Sequence, residues 1–177
     1  MALRRTLGPL ALSVLVVALL SPISPIELPS AGAGESVAAP GNSLFLQVRG
    51  TVDRKGGSPP ERFVYEPDVF DMNNQKIGTV THDVMFTSPN TLDLVSVFHL
   101  PDGDLANHGV EAIGPDGSKQ NFYLIGVHAD RDSVDGAKST GAYKGRTGRL
   151  RMSGWHDANK FPQTVTFNDF YEITLNP

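Results

Sequence analysis

From Leu44 onward, apolar residues recur mostly at every second position, and turn-forming residues interrupt them at short intervals. No stretch of this part carries the 3.6-residue periodicity of an amphipathic helix. Alternation bounded by Gly, Pro, Asn and Asp is typical of short antiparallel strands joined by hairpins. The pattern therefore predicts about eight strands, over residues 44–49, 62–71, 77–87, 92–100, 106–113, 121–128, 149–156 and 164–175.

Strands of this number and length can form a two-layered sandwich or close into a barrel, and only closure removes the exposed sheet edges. We expect residues 44–177 to form one all-β domain, an eight-stranded antiparallel β-barrel, with the sandwich as the alternative. An eight-stranded barrel has room inside for side chains or for one small ligand. Pro67, which cannot donate a backbone hydrogen bond, predicts an edge or a bulge in the second strand.

The N-terminal residues have the pattern of a secretory signal: two arginines precede an apolar run that ends at Leu20. This run is shorter than the ~20 residues of a membrane-spanning helix, so we expect no stable membrane insertion after processing. Residues 1–33 are predicted to be signal peptide and leader, and 34–43 a flexible linker. Ala33 and Ala39 each end a small-residue pattern suited to cleavage. The predicted location is therefore secreted or extracytoplasmic.

Composition excludes several classes of function. The chain has no cysteine, which rules out disulfide bonds and thiolate metal sites. Its formal net charge is -4, and no block of Lys or Arg follows the leader. Since nucleic-acid binding needs a basic surface, we expect no nucleic-acid partner.

A glycine-rich segment surrounds Tyr143: five glycines lie from Gly136 to Gly154. Glycine inside extended chain marks a bend, a bulge or a close approach of two backbones. No phosphate-binding glycine pattern is present, and no helix is predicted to follow, so we interpret these glycines as structural.

This segment resembles one in a known superfamily, the allene oxide cyclase and dirigent β-barrels. Residues 139–148 match most of that superfamily's glycine motif, and residues 70–79 resemble its strand–turn–Gly element. Bacterial spirotetronate cyclases, which share the barrel, look similar through 143–148 and 151–154. The resemblance implies an allene oxide cyclase barrel-like fold, in which the glycines turn a tight corner at the barrel rim and Tyr143 packs where the superfamily has its aromatic residue.

The polar site of plant allene oxide cyclases is mostly absent from the matching positions. Its first-strand glutamate and asparagine fall among residues 46–48, and a further asparagine falls near Pro67. Its cysteine and tyrosine fall near Val84 and Glu111. The resemblance therefore implies a cavity with a different lining.

Candidate site residues follow from strand alternation. If Val84 points inward, Val80, His82 and Phe86 share its face. We predict Val80, Val84 and Phe86 as ligand-binding residues, and His82 and Glu111 as candidate catalytic residues. An imidazole or carboxylate in an apolar barrel has a shifted pKa and can move a proton. The alternative is that both are hydrogen-bonded members of the core.

Other chemistries have little support. The five histidines lie on different predicted strands without a paired metal-binding motif, and we expect no metal and no cofactor. Residues 130–136 match a calcium loop only in part, and Ser153 lacks the setting of a nucleophile.

Three functional hypotheses remain. The first is an exported, cofactor-independent cyclase or isomerase that folds a hydrophobic small molecule in the barrel lumen. The second is a dirigent-like or lipocalin-like protein that binds such a molecule without chemistry. The third is a structural barrel with a filled interior. Whether the protein is an enzyme stays open, and homo-oligomerisation is a further expectation that the resemblance raises.

Overall fold

The computed structural model describes residues 42–118, 120–128 and 133–176; the predicted signal peptide and nearly all of the predicted linker lie outside them. The strands are β1 Ser43–Asp53, β2 Arg62–Tyr65, β3 Asp68–Phe70, β4 Lys76–Ser88, β5 Thr91–Leu100, β6 Gly103–Pro115, β7 Phe122–His128, β8 Gly148–Lys160 and β9 Thr164–Leu175. A 3-10 turn covers Gly141–Tyr143. None of the helical segments within the described ranges has the length and apolar character needed to cross a bilayer.

The nine strands of the described residues form one antiparallel sheet that closes on itself. Both β2 and β3 pair with β4 and together occupy one position, so the ring has eight positions. Pairing of β4 with β5 and of β1 with β9 completes the ring. The predicted eight-stranded antiparallel barrel is confirmed, and the sandwich alternative is wrong.

The break between β2 and β3 lies at Pro67, where the sequence predicts an irregularity. The Pro67 carbonyl accepts a hydrogen bond from the Val80 backbone N–H at 3.0 Å. The chain therefore stays attached to β4 through the break, although proline itself cannot donate to the ladder.

One half of the barrel interior is filled by apolar side chains. Val80, Phe98, Leu105 and Ile173 are fully buried there, and Phe98 lies opposite Leu105 beside the β5–β6 turn. These residues belong to one continuous core cluster that also includes Tyr143. This half has the close packing of an ordinary protein core.

The glycine-rich segment packs onto the same end of the barrel. Its backbone crosses the β5–β6 turn, where the Ala142 N–H donates to the Asp102 carbonyl at 2.9 Å. Gly141 has φ +56°, and a Cβ there would lie 2.0 Å from that Asp102 oxygen. Glycine is thus required because two backbones meet, and the turn it permits brings Tyr143 into the core.

Candidate functional site in the barrel lumen

The other half of the barrel contains a cavity of about 350 Å³. It reaches the barrel end where the β4–β5, β6–β7 and β8–β9 connections lie, since Pro89, Asn121 and Phe161 line it. The Phe161 ring contacts Phe63 and Phe86, with centroid distances of 4.7 and 6.0 Å. These three rings form an aromatic rim on one side of the entrance to a mainly apolar chamber.

The cavity lining comes from seven strands and the adjoining turns. Its members are Phe63, Tyr65, His82, Val84, Phe86, Pro89, Leu92, Leu94, Glu111, Ile113, Asn121, Tyr123, Ile125, His156, Ala158, Asn159, Phe161, Val165, Phe167, Asp169 and Tyr171. The lining residues alternate with outward-facing ones, as the pleat of a strand requires. The exception is the end of β8, where the register shifts and both Ala158 and Asn159 line the cavity.

The structure brings four of the five sequence-predicted site residues to this cavity. His82, Val84 and Phe86 of β4 line it, and so does Glu111 of β6. Val80 shares their face but is packed in the filled half, fully buried and outside the lining. Alternation identifies the inward face of a strand, whereas depth along the barrel axis decides which inward residues reach the cavity.

His82 is held in a hydrogen-bonded network. Its Nδ1 lies 2.7 Å from Ser96 Oγ, and its Nε2 lies 3.5 Å from the Tyr171 hydroxyl. Burial lowers the pKa of His82 to about 3, and the nearby charge of His156 acts in the same direction. The imidazole is therefore neutral at physiological pH, which makes it a weak base and a fixed part of the wall.

A second pair in the lumen joins β8 to β9. His156 Nε2 donates to Asp169 Oδ2 at 3.0 Å, and Asp169 is 1% exposed. Burial lowers the pKa of His156, but the charge of Asp169, the hydrogen bond to it and the charge of Glu111 outweigh burial and raise the pKa above its ordinary value. Asp169 therefore favours the protonated form of the His156 imidazole and fixes its ring in the lumen.

Gly154 makes room for that carboxylate. It faces inward opposite Asp169, and a Cβ at Gly154 would lie 2.2 Å from Asp169 Oδ1. Any other residue at this position would collide with the carboxylate. Gly154 is thus a positioning residue for Asp169.

Glu111 is the other buried acid of the lumen, at 2% exposure. Burial raises its pKa to about 7; the charge of Asp169 adds to the rise, and the charge of His156 opposes it. Its Oε1 atom has no hydrogen-bond partner among the described residues. Glu111 can therefore exist in both protonation states near neutral pH, the condition that suits an acid–base group.

Sequence reasoning missed His156, Asp169 and Tyr171. A signal for Asp169 was present, because it interrupts the apolar inward face of β9 between Phe167 and Tyr171. Pairing with His156 required the register, in which His156 lies opposite Phe167 and so is diagonal to Asp169.

The barrel also has a groove of about 800 Å³ on its outer face, between Phe45 and Phe170 on one side and Val110 on the other. The charged side chains along it, Arg151 and Glu172, lie opposite each other on the sheet. Of the two concavities, only the lumen contains buried acids. Within the described ranges, no group of three or more His, Asp or Glu residues is placed to hold a metal ion.

No protein-family model matches the chain, and no curated protein matches it. Among solved structures, it is similar to a nonspecific heme-binding cyclase that catalyses a 4 + 2 cycloaddition during neoabyssomicin biosynthesis. The two share 14% sequence identity over 73% of this chain, with a TM-score of 0.37. The match spans 63% of the length of that cyclase.

Proposed function

We propose that the protein binds a hydrophobic small molecule in the open half of its barrel. The single observation that carries this proposal is the cavity of about 350 Å³ behind the aromatic rim. Its volume lies at the lower end of the range for small-molecule sites, which are mostly apolar with a few polar groups. A structural barrel with a filled interior would have no such chamber.

The test is native mass spectrometry of the protein purified from its native host, together with a variant that fills the lumen. Val84→Trp adds bulk inside the cavity, whereas Val95→Trp adds the same bulk on the exposed outer face. We expect a retained small molecule on the wild type and on Val95→Trp, and none on folded Val84→Trp. Equal retention by both variants would place the ligand elsewhere, and no retained molecule on any form would contradict the proposal.

A second function, a cofactor-independent isomerase or cyclase, is favoured by the acid–base groups at the cavity wall. Glu111 has a pKa of about 7, and the His156–Asp169 pair lies in the same lumen. A carboxylate with this pKa can take a proton from a bound molecule and return it. Enclosure of a flexible substrate contributes further by holding it in a reactive shape.

Proton transfer can be measured before the natural substrate is known. A small apolar α-hydroxyketone in D₂O exchanges its carbon-bound α-protons, and NMR follows the loss of signal. We expect wild type to accelerate this exchange and Glu111→Gln to lose the acceleration. Exchange at the uncatalysed rate, with binding demonstrated in the same sample, would favour a carrier or a dirigent-like role.

Export is part of the proposal and rests on the arginine-led apolar run before Leu20. Mass spectrometry of the protein from the culture medium is expected to show an N-terminus between residues 30 and 44. A chain found only inside the cell with residue 1 intact would contradict export.

A further inference from the structure

Two buried carboxylate oxygens in the lumen are without hydrogen-bond donors. Glu111 Oε1 and Asp169 Oδ1 have no partner among residues 42–118, 120–128 and 133–176. Both residues line the cavity, and each is at most 2% exposed. Leaving a buried acceptor without a donor destabilises the folded protein, and more so when the acceptor is charged.

The two histidines of the inner lumen are already engaged. His82 lies between Ser96 and Tyr171, and His156 donates to the second oxygen of Asp169. No Lys or Arg occurs among the described residues that line the cavity. The hydrogen-bonding capacity left at the ionised carboxyl groups is therefore that of an acceptor.

The distribution of apolar and acidic side chains along the barrel axis sets the orientation of a bound molecule. Ile113 lies two residues closer to the β6–β7 turn than Glu111 does, and Phe86 lies at the aromatic rim. The walls near the entrance are thus apolar, while the acids lie further inside. A molecule that satisfies both regions enters with its polar end first and leaves its hydrocarbon body against the aromatic rings.

We propose that the lumen selects an apolar molecule whose inner end, a hydroxyl or an amine, donates a hydrogen bond to Glu111 beside Asp169, and that it rejects carboxylates. This inference rests on the proposed function and names its ligand class. A ligand carboxylate would bring a third acid beside two buried acids in a cavity that no described Lys or Arg lines, and like charges in a low-dielectric site repel strongly.

The pH dependence of binding follows from the groups that face Glu111. These are His82 of β4, His156 of β8, Asp169 and Tyr171 of β9, and the cavity tyrosines Tyr65 and Tyr123. Deprotonation of Glu111 near pH 7 converts it into a full acceptor. Affinity for a protonated amine therefore rises from pH 6 to pH 8, while affinity for a ligand that only accepts hydrogen bonds does not.

The test uses four probes with one compact hydrocarbon body: 1-adamantanemethanol, 1-adamantanemethylamine, 1-adamantyl methyl ketone and 1-adamantanecarboxylate. Isothermal titration calorimetry at pH 8 measures each dissociation constant. We expect the alcohol and the amine to bind at least about tenfold more tightly than the ketone and the carboxylate, because each can donate to a buried carboxylate.

Glu111→Gln removes the charge at nearly constant volume and is expected to abolish most of the preference for the amine. Glu66→Gln, at an exposed position between β2 and β3, is the matched control and leaves the preference unchanged. If Glu111→Gln does not fold, the wild-type pH profile decides: a rise in amine affinity from pH 6 to 8, without a rise in ketone affinity, supports the inference.

Equal affinity for all four probes, or preference for the carboxylate or ketone, would overturn the inference and leave the lumen as a ligand site. Failure of every probe to bind saturably would overturn the inference and contradict the proposed function as well.

Discussion

The two halves of the barrel are built from the same strands but have different interiors. On β4, Val80 packs against the filled end, while Val84 and Phe86, on the same face, line a cavity. On β6, Leu105 is fully buried at one end and Glu111 borders the cavity at the other. The glycine-rich segment adds Tyr143 to the filled end only. Strand closure therefore fixes the cylinder, and the identity of the inward residues decides which half can hold a ligand.

The largest expected contrast is between two phenylalanines. Phe98→Ala in the filled half should lower the free energy of unfolding by about 3–5 kcal/mol, because it leaves a cavity in a close-packed core. Phe86→Ala beside the existing cavity should cost only about 1–2 kcal/mol, since the side chain is partly buried. Urea unfolding measures both values. Equal losses would show that the two halves are packed alike.

The second contrast compares the loss of stability on replacing Gly141, at the filled end of the barrel, with that on replacing Gly117, which lies in open space. Gly141→Ala should cost about 2–4 kcal/mol, because alanine resists the positive φ and its Cβ would collide with the Asp102 carbonyl. Gly117→Ala meets nothing within 4 Å and serves as the control, with a change within about 0.5 kcal/mol. A Gly141→Ala protein as stable as this control would contradict the described approach of the two backbones.

The third contrast concerns the pH dependence of stability and tests the half of the barrel that contains the cavity. The pKa of Glu111 is raised in the folded state to about 7, so folding favours its protonated form. That contribution is fully present below the unfolded pKa of about 4.3 and is lost as pH rises through 7. Wild type should thus lose up to about 3 kcal/mol of stability relative to Glu111→Gln between pH 4 and 8.

The free energy of unfolding has to be compared between wild type and Glu111→Gln at each pH, because His82 changes the stability with pH in the opposite direction. Its pKa is lowered to about 3, so its contribution to stability increases with pH until the unfolded value is passed. Glu66→Gln, at an exposed position, is the control for the substitution itself. A flat difference for Glu111→Gln would show that Glu111 is not buried as described.

Much of the fold could be predicted from the sequence because strand alternation is a local property. Every predicted strand overlaps an observed one, and even the break at Pro67 follows from its missing N–H. The alternation around His82 also predicted the correct face of β4. It could not predict that Val80 lies in the filled half, since depth depends on how the whole cylinder is packed.

The contacts between polar side chains in the lumen could not be predicted from local sequence patterns. The contact between His156 and Asp169 depends on the β8–β9 register, and the room for Asp169 depends on Gly154, which lies opposite on the neighbouring strand. Glu111 was predicted as a lumen residue, but its unpartnered oxygen and its neighbours follow only from closure of the barrel.

The most direct test of the central claim is where a bound molecule lies. In NMR spectra of the protein with 1-adamantanemethanol, we expect intermolecular NOEs from the adamantane protons to Phe86 and Ile113, and none to Phe98 or Leu105. NOEs to Phe45 and Phe170 on the outer face, without any to Phe86 or Ile113, would contradict a ligand site in the hollow half of the barrel.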